Sequence, residues 1–209
     1  MSAVRTGRGF ERLITFADAV VAIALTLLVL PLVEITAQVR EGTSVGRVLG
    51  DHGDEVSAFV VSFVVIWALW TVHHRTMEYF DAYDSAIMRL TMLWLFTIVV
   101  LPFTTQLLNS EAYRHGAVPV YIGVLLISAL SLFGMSWWGR RHPQLLLAGR
   151  PEVDDWVNEP RSLTTVGVLL VALVLSIAVP QVGTLPLLAL LFTDSIDRVV
   201  FRLRGRRHG

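Results

Sequence analysis

Six stretches of this chain are long and apolar enough, or nearly so, to cross a lipid bilayer, and no other feature constrains its fold as much. They run over residues 14–33, 56–76, 87–108, 117–138, 162–181 and 184–201. A bilayer core about 30 Å thick calls for roughly 20 apolar residues wound as helix. Inside lipid the backbone has no water to bond, so each stretch must satisfy its own N–H and C=O groups, which a helix does. The last stretch is the weakest, because Asp194 and Asp197 cut its apolar part short. The composition agrees: 54% of the 209 residues are hydrophobic, only 16% are charged, and the mean hydropathy is +0.63. Together these predict an all-α integral membrane protein, one six-span domain over residues 1–209 with polar links between spans.

The N-terminal segment "MSAVRTGRGFERLITFADAV" has arginines, but no small-residue cleavage site ends its apolar run. It is expected to remain in the mature protein. The chain has no cysteine, which excludes disulfides and thiolate metal sites. Its basic residues are all arginine, and their placement predicts orientation. Three lie in the N-terminal arm, two in the 2–3 link, four in the 4–5 link and five in the C-terminal tail. Only Arg40, Arg47 and Arg114 lie on the other side. The positive-inside rule then puts both termini in the cytoplasm, as for a multi-pass protein of the cell membrane. The outer links carry Glu34, Glu41, Asp51, Asp54, Glu55 and Glu111, a net acidic face that favours cations.

The first span, "FADAVVAIALTLLVLPL" (residues 16–32), starts with a carboxylate, holds a threonine at mid-depth and is closed by Pro31. At about 100° per residue, Phe16, Ala19, Ile23, Leu27 and Leu30 fall on one face, with Thr26 at its border and Glu34 at its outer end. Asp18 points elsewhere, towards whatever helix packs behind. On spacing alone, such an apolar stripe reads as ordinary helix packing.

In "RLITFADAVVAIALTLLVLPL", however, Arg12, Phe16, Asp18, Ala22, Ile23, Thr26, Leu27, Leu28 and Leu30 resemble the first-helix signature of the lysosomal and bacterial potassium channels of the transmembrane-protein-175 type. Ala17 stands where that signature has serine. "WTVHHR", with Trp70, His73, His74 and Arg75, resembles the end of the family's second helix. "RLTMLWLFTIVVLPFTTQLL" is similar to its third, with Thr91 in place of an asparagine. The likeness is specific over roughly residues 12–108 and topological beyond.

The resemblance implies a homotetramer whose first helices ring a central pore, lined by Ile23, Thr26, Leu27 and Leu30. It further implies a potassium-permeable cation channel, with no enzymatic activity and no cofactor beyond the permeant potassium ion. Apolar rings of this kind gate by dewetting. Thr26 then either lends hydroxyl oxygens to a partly dehydrated cation or bonds back to the carbonyl four residues earlier. The resemblance also implies a structural cluster of Arg12, Phe16, Asp18, Trp70, His73 and His74 near the cytoplasmic end. The alternative for Asp18 is a solvated, capping carboxylate at the interface.

Other motifs carry less. "TTVGV" (Thr164 to Val168) is similar to a potassium-channel filter, but it opens the fifth span from the cytoplasmic side, where no filter sits. His73 and His74 diverge by about 100° on a helix and cannot readily share a metal ion. The tail "DRVVFRLRGRRHG" reads as a cytoplasmic stop and an anionic-lipid contact, not a nucleic-acid site. No arginine ladder marks a voltage sensor. A secondary transporter or proton-conducting protein is the competing reading. It would call for broken, paired helices, whereas Pro31, Pro102 and Pro180 lie towards helix ends or singly. A membrane hydrolase would need a base for Ser128 or Ser131, and none is apparent.

Overall fold

The computed structural model describes residues 5–38, 44–109 and 114–158. The expected fifth and sixth spans, the 164–168 motif and the arginine-rich tail lie outside these residues. Within them the chain forms β1 (Arg5–Thr6), α1 (Arg8–Leu27), α2 (Leu30–Gln38), α3 (Val45–Asp51), α4 (Gly53–Met77), β2 (Ala82–Tyr83), α5 (Ser85–Asn109), α6 (Arg114–Arg141) and α7 (Pro151–Asn158), with one 3₁₀ turn at Pro143–Leu145. Among the described residues, four helical stretches are long and apolar enough to cross a membrane: Arg8–Ile35, Gly53–Met77, Ser85–Leu108 and Gly116–Arg141. They coincide with the first four expected spans.

Local interactions mark the ends of α4 and the start of α5. At the start of α5, Asp84 Oδ1 accepts from the backbone N–H groups of Ala86 and Ile87, at 2.9 and 3.0 Å. It thereby satisfies donors that have no partner within the helix. In α4, Asp54 and Glu55 fill the first turn and His74 and Arg75 the last, matching the helix dipole at both ends. Three side-chain hydroxyls in α5 return to its own carbonyls: Thr97 to Trp94, and both Thr104 and Thr105 to Leu101. That disposes of polar groups a lipid-immersed bundle would otherwise leave unpaired.

Pro31 does not close the first span. The regular ladder lapses at Leu28 and Val29 and helix resumes at Leu30, so helix continues to Gln38 and the membrane-capable stretch to Ile35. Proline lacks an N–H, and here it sits in the first turn of the new helix, where that N–H would have no intrahelical acceptor.

Among the described helices α5 and α6 form the most extensively packed pair, and α1 lies against α5 and α4. The core between them holds Trp94, Ile98, Leu101, Tyr121, Leu125 and Met135, all nearly or fully buried. Ser62 of α4 and Thr105 of α5 meet at 2.8 Å. Because Thr105 commits its proton to Leu101, Ser62 is the donor of that pair. Ala17 is fully buried, so an alanine in place of the family's serine leaves no hydroxyl to satisfy.

At the end of the bundle where α1 starts, the links knit into a small plate. β1 pairs antiparallel with β2, Arg5 opposite Tyr83 and Thr6 opposite Ala82. The segment before β2 pairs in turn with the α6–α7 link, through Asp81 N–H to Leu145 O and Leu147 N–H to Tyr79 O, both 3.0 Å. Trp156 of α7 stacks on Tyr79 with centroids 4.8 Å apart, and Arg140 lies over the same indole. Trp138 Nε1 donates to Asp84 at 3.0 Å. Gly7 joins this plate to α1 with φ of 58°, a left-handed setting that suits glycine.

Candidate functional site

The first helix has two contrasting faces. Phe10, Leu13, Ala17, Val21 and Ala24 are buried against the bundle, at helical spacings of three and four. On the other side Phe16, Ile23, Leu27 and Leu30 are exposed in the single chain, at 53%, 59%, 39% and 48%. Thr26 and Arg12 are exposed as well. The residues of the stripe share one face, as the angular count has it, and that face is turned away from the bundle instead of packing within it. Apolar faces are also exposed on α4, α5 and α6, and lipid satisfies such surfaces. Within α1 a carboxylate also bonds the neighbouring helix α4.

That carboxylate is Asp18, half-buried between helices. Its Oδ1 accepts from Trp70 Nε1 of α4 at 2.8 Å. Trp70 stacks on His74 with centroids 5.1 Å apart, and His74 Nε2 lies 3.7 Å from Glu78 Oε1. His73 turns the other way. It is buried and stacks on Trp94 of α5, centroids 4.0 Å apart and rings within 3° of parallel. The two histidines serve different interfaces, in keeping with their separation around the helix. Among the described residues, no three His, Cys, Asp or Glu side chains gather to hold a metal.

The single chain does not bring Arg12 or Phe16 to Asp18. Around α1, Phe16 lies about 160° and Arg12 about 120° from Asp18, so both belong to the exposed side. No ion pair joins Arg12 to a described residue. Of the six expected cluster residues, Asp18, Trp70 and His74 meet, His73 faces α5, and Phe16 and Arg12 lie on the stripe side. Thr91 of α5 is buried, and among the described residues neither its hydroxyl nor His73 Nε2 has a hydrogen-bond partner.

Thr26 Oγ1 donates to the carbonyl of Ile23 at 2.7 Å, one residue nearer than the expected back-bond. A hydroxyl has one proton and two lone pairs. With the proton on Ile23, the lone pairs stay free on the exposed side, so back-bonding and cation contact are compatible. Ser131 donates to Ile127 O at 2.8 Å, the back-bond common for serine and threonine in apolar helices.

Sequence reasoning missed the cap at Asp84, the Gly7 joint and the plate. An aspartate immediately before a helical run is a start signal that would have located the first. The plate rests on pairings between residues more than sixty positions apart and leaves no local trace.

Four long apolar helices packed in this way define a multi-pass helical membrane protein. The family described as the endosomal/lysosomal potassium channel TMEM175 matches residues 12–102. A potassium channel of Chamaesiphon minutus is 32% identical over 157 residues, 72% of this chain and 76% of that protein. This chain belongs to the TMEM175 family, whose members are channels and not enzymes. A potassium channel of Streptomyces collinus is 34% identical over 132 residues, which span 61% of this chain and 62% of that protein. The crystal structure of a lysosomal potassium-selective channel TMEM175 homolog from Chamaesiphon minutus matches with a TM-score of 0.65 at 25% identity. It covers 95% of this chain and 98% of that one.

Proposed function

We propose that this protein is a potassium-permeable cation channel that acts as a homotetramer in the cell membrane, with both termini cytoplasmic. Four copies of α1 surround the axis, and Ile23, Leu27 and Leu30 form successive apolar rings with Thr26 at their border. The observation that carries this reading is the α1 stripe: it is apolar, turned away from its own bundle, and backed by the Asp18–Trp70 bond. The potassium channels among its relatives support the choice of ion.

In this reading the rings control water. A narrow apolar constriction dewets when closed, and a cation cannot cross a dry segment without losing its hydration. Widening by rotation or tilt of the four helices admits water and the ion together. Thr26 lone pairs then replace part of the hydration shell. Such a pore discriminates between ions with side chains and has no need of a carbonyl filter.

The test is single-channel recording of purified protein in liposomes under bi-ionic potassium and sodium. Passive, gradient-following current that reverses on the potassium side of zero is expected. Ile23→Asn should ease wetting of the ring and raise conductance. Unchanged current in assembled Ile23→Asn protein would remove the stripe from the pore. A current that follows only the proton gradient, or flux stoichiometrically coupled to a second solute, would favour the competing proton-conducting or transporter readings.

A further inference from the structure

The stripe does not end at Leu30. Past the break at Leu28 and Val29, α2 again exposes one side, at Leu30, Val33 and Glu34, while Pro31, Leu32 and Ile35 are half-buried. Positions 30, 33 and 34 share a helical face, so Glu34 stands one turn beyond Leu30 on the same side as the apolar rings. At about 1.5 Å per residue, its Cα lies about 6 Å further along the axis than that of Leu30. Among the described residues no hydrogen bond or ion pair engages its carboxylate. The nearby acidic groups differ: Glu55 is bonded to His52 at 3.4 Å, and Asp51 and Asp54 lie on α3 and the start of α4.

We propose that Glu34 sets the conductance of this channel: four Glu34 carboxylates ring the outer mouth of the pore and concentrate cations there. The inference rests on the tetrameric pore reading and adds to it a residue that acts on throughput. The mechanism is long-range electrostatics in a narrow, low-dielectric mouth, which raises the local concentration of counter-ions. Its signature is salt dependence. The Debye length is about 30 Å in 0.01 M salt and about 3 Å in 1 M. The ring therefore reaches the constriction in dilute salt and is screened from it in concentrated salt.

The chain has no cysteine, so Glu34→Cys carries a single thiol that can be modified after folding and assembly. Single-channel potassium conductance is recorded in liposomes at about 0.01 M and about 1 M KCl. E34Q should lower conductance about two- to threefold in dilute salt and leave it nearly unchanged in concentrated salt. On Glu34→Cys, an anionic sulfonatoethyl methanethiosulfonate should restore conductance, and a cationic trimethylammonioethyl reagent should depress it further. An equal effect of E34Q at both salts, or the same response to both reagents, would overturn the proposal. Ile23→Asn, run alongside, separates the two readings. If it alters conductance while Glu34 charge does not, the pore stands and the ring falls. If neither variant matters, both fall together.

Discussion

Removing the indole N–H of Trp70 isolates the bond that fixes the back of the first helix. It meets Asp18 Oδ1 at 2.8 Å, within the range of a charge-assisted hydrogen bond. Bonds to charged groups contribute about 1.5–3 kcal/mol, and a half-buried carboxylate can recruit some water when its donor goes. Trp70→Phe is therefore expected to cost about 2 kcal/mol per subunit, close to a thirtyfold change in an equilibrium constant. Phenylalanine keeps a ring beside His74, so the loss is mainly that of the donor. Asp18→Asn retains an acceptor oxygen without charge and should cost roughly half as much. The assay is a mixed-micelle SDS titration of wild type, both single variants and the double variant, closed as a thermodynamic cycle. A coupling energy of about 1–2 kcal/mol is expected, and one below about 0.5 kcal/mol would refute the argument. Reversal potentials of the variants should match wild type, because neither residue lies on the stripe. Open probability is the quantity expected to fall.

Thr26→Val removes the hydroxyl at nearly constant volume. If its free lone pairs meet the cation, the potassium-over-sodium permeability ratio should fall about two- to fivefold, as for the loss of about 0.5–1 kcal/mol of contact. A reversal potential equal to that of wild type would confine Thr26 to its bond with Ile23. Gly139→Ala tests the plate instead. A Cβ there would lie 2.5 Å from Phe80 Cζ and 3.1 Å from its Cε1, and Phe80 is itself buried. Overpacking of this kind typically costs about 1–3 kcal/mol. Phe80→Leu in the same chain should recover part of it, and a double variant less stable than Gly139→Ala alone would refute the contact.

The residues alone determined the membrane class, the first four spans and the two-faced character of α1. All three follow from local physics. A bilayer demands a fixed length of apolar, internally bonded chain, and a helix sorts side chains by an angle that can be counted along the sequence. That count puts Ile23, Leu27 and Leu30 on one face and Ala17, Val21 and Ala24 on another, but both faces are apolar and only the packing decides which one meets the bundle. Tertiary structure decided the rest. Asp18 finds its donor 52 positions away. His73 goes to Trp94 while its neighbour goes to Trp70. The plate joins β1 to the link before α5, and that link to the one after α6. Helical periodicity tells which side of a rod a residue occupies, but not which rod will stand there. That choice belongs to the packing of all the helices at once, through shape and through the few buried polar groups that must each find a partner.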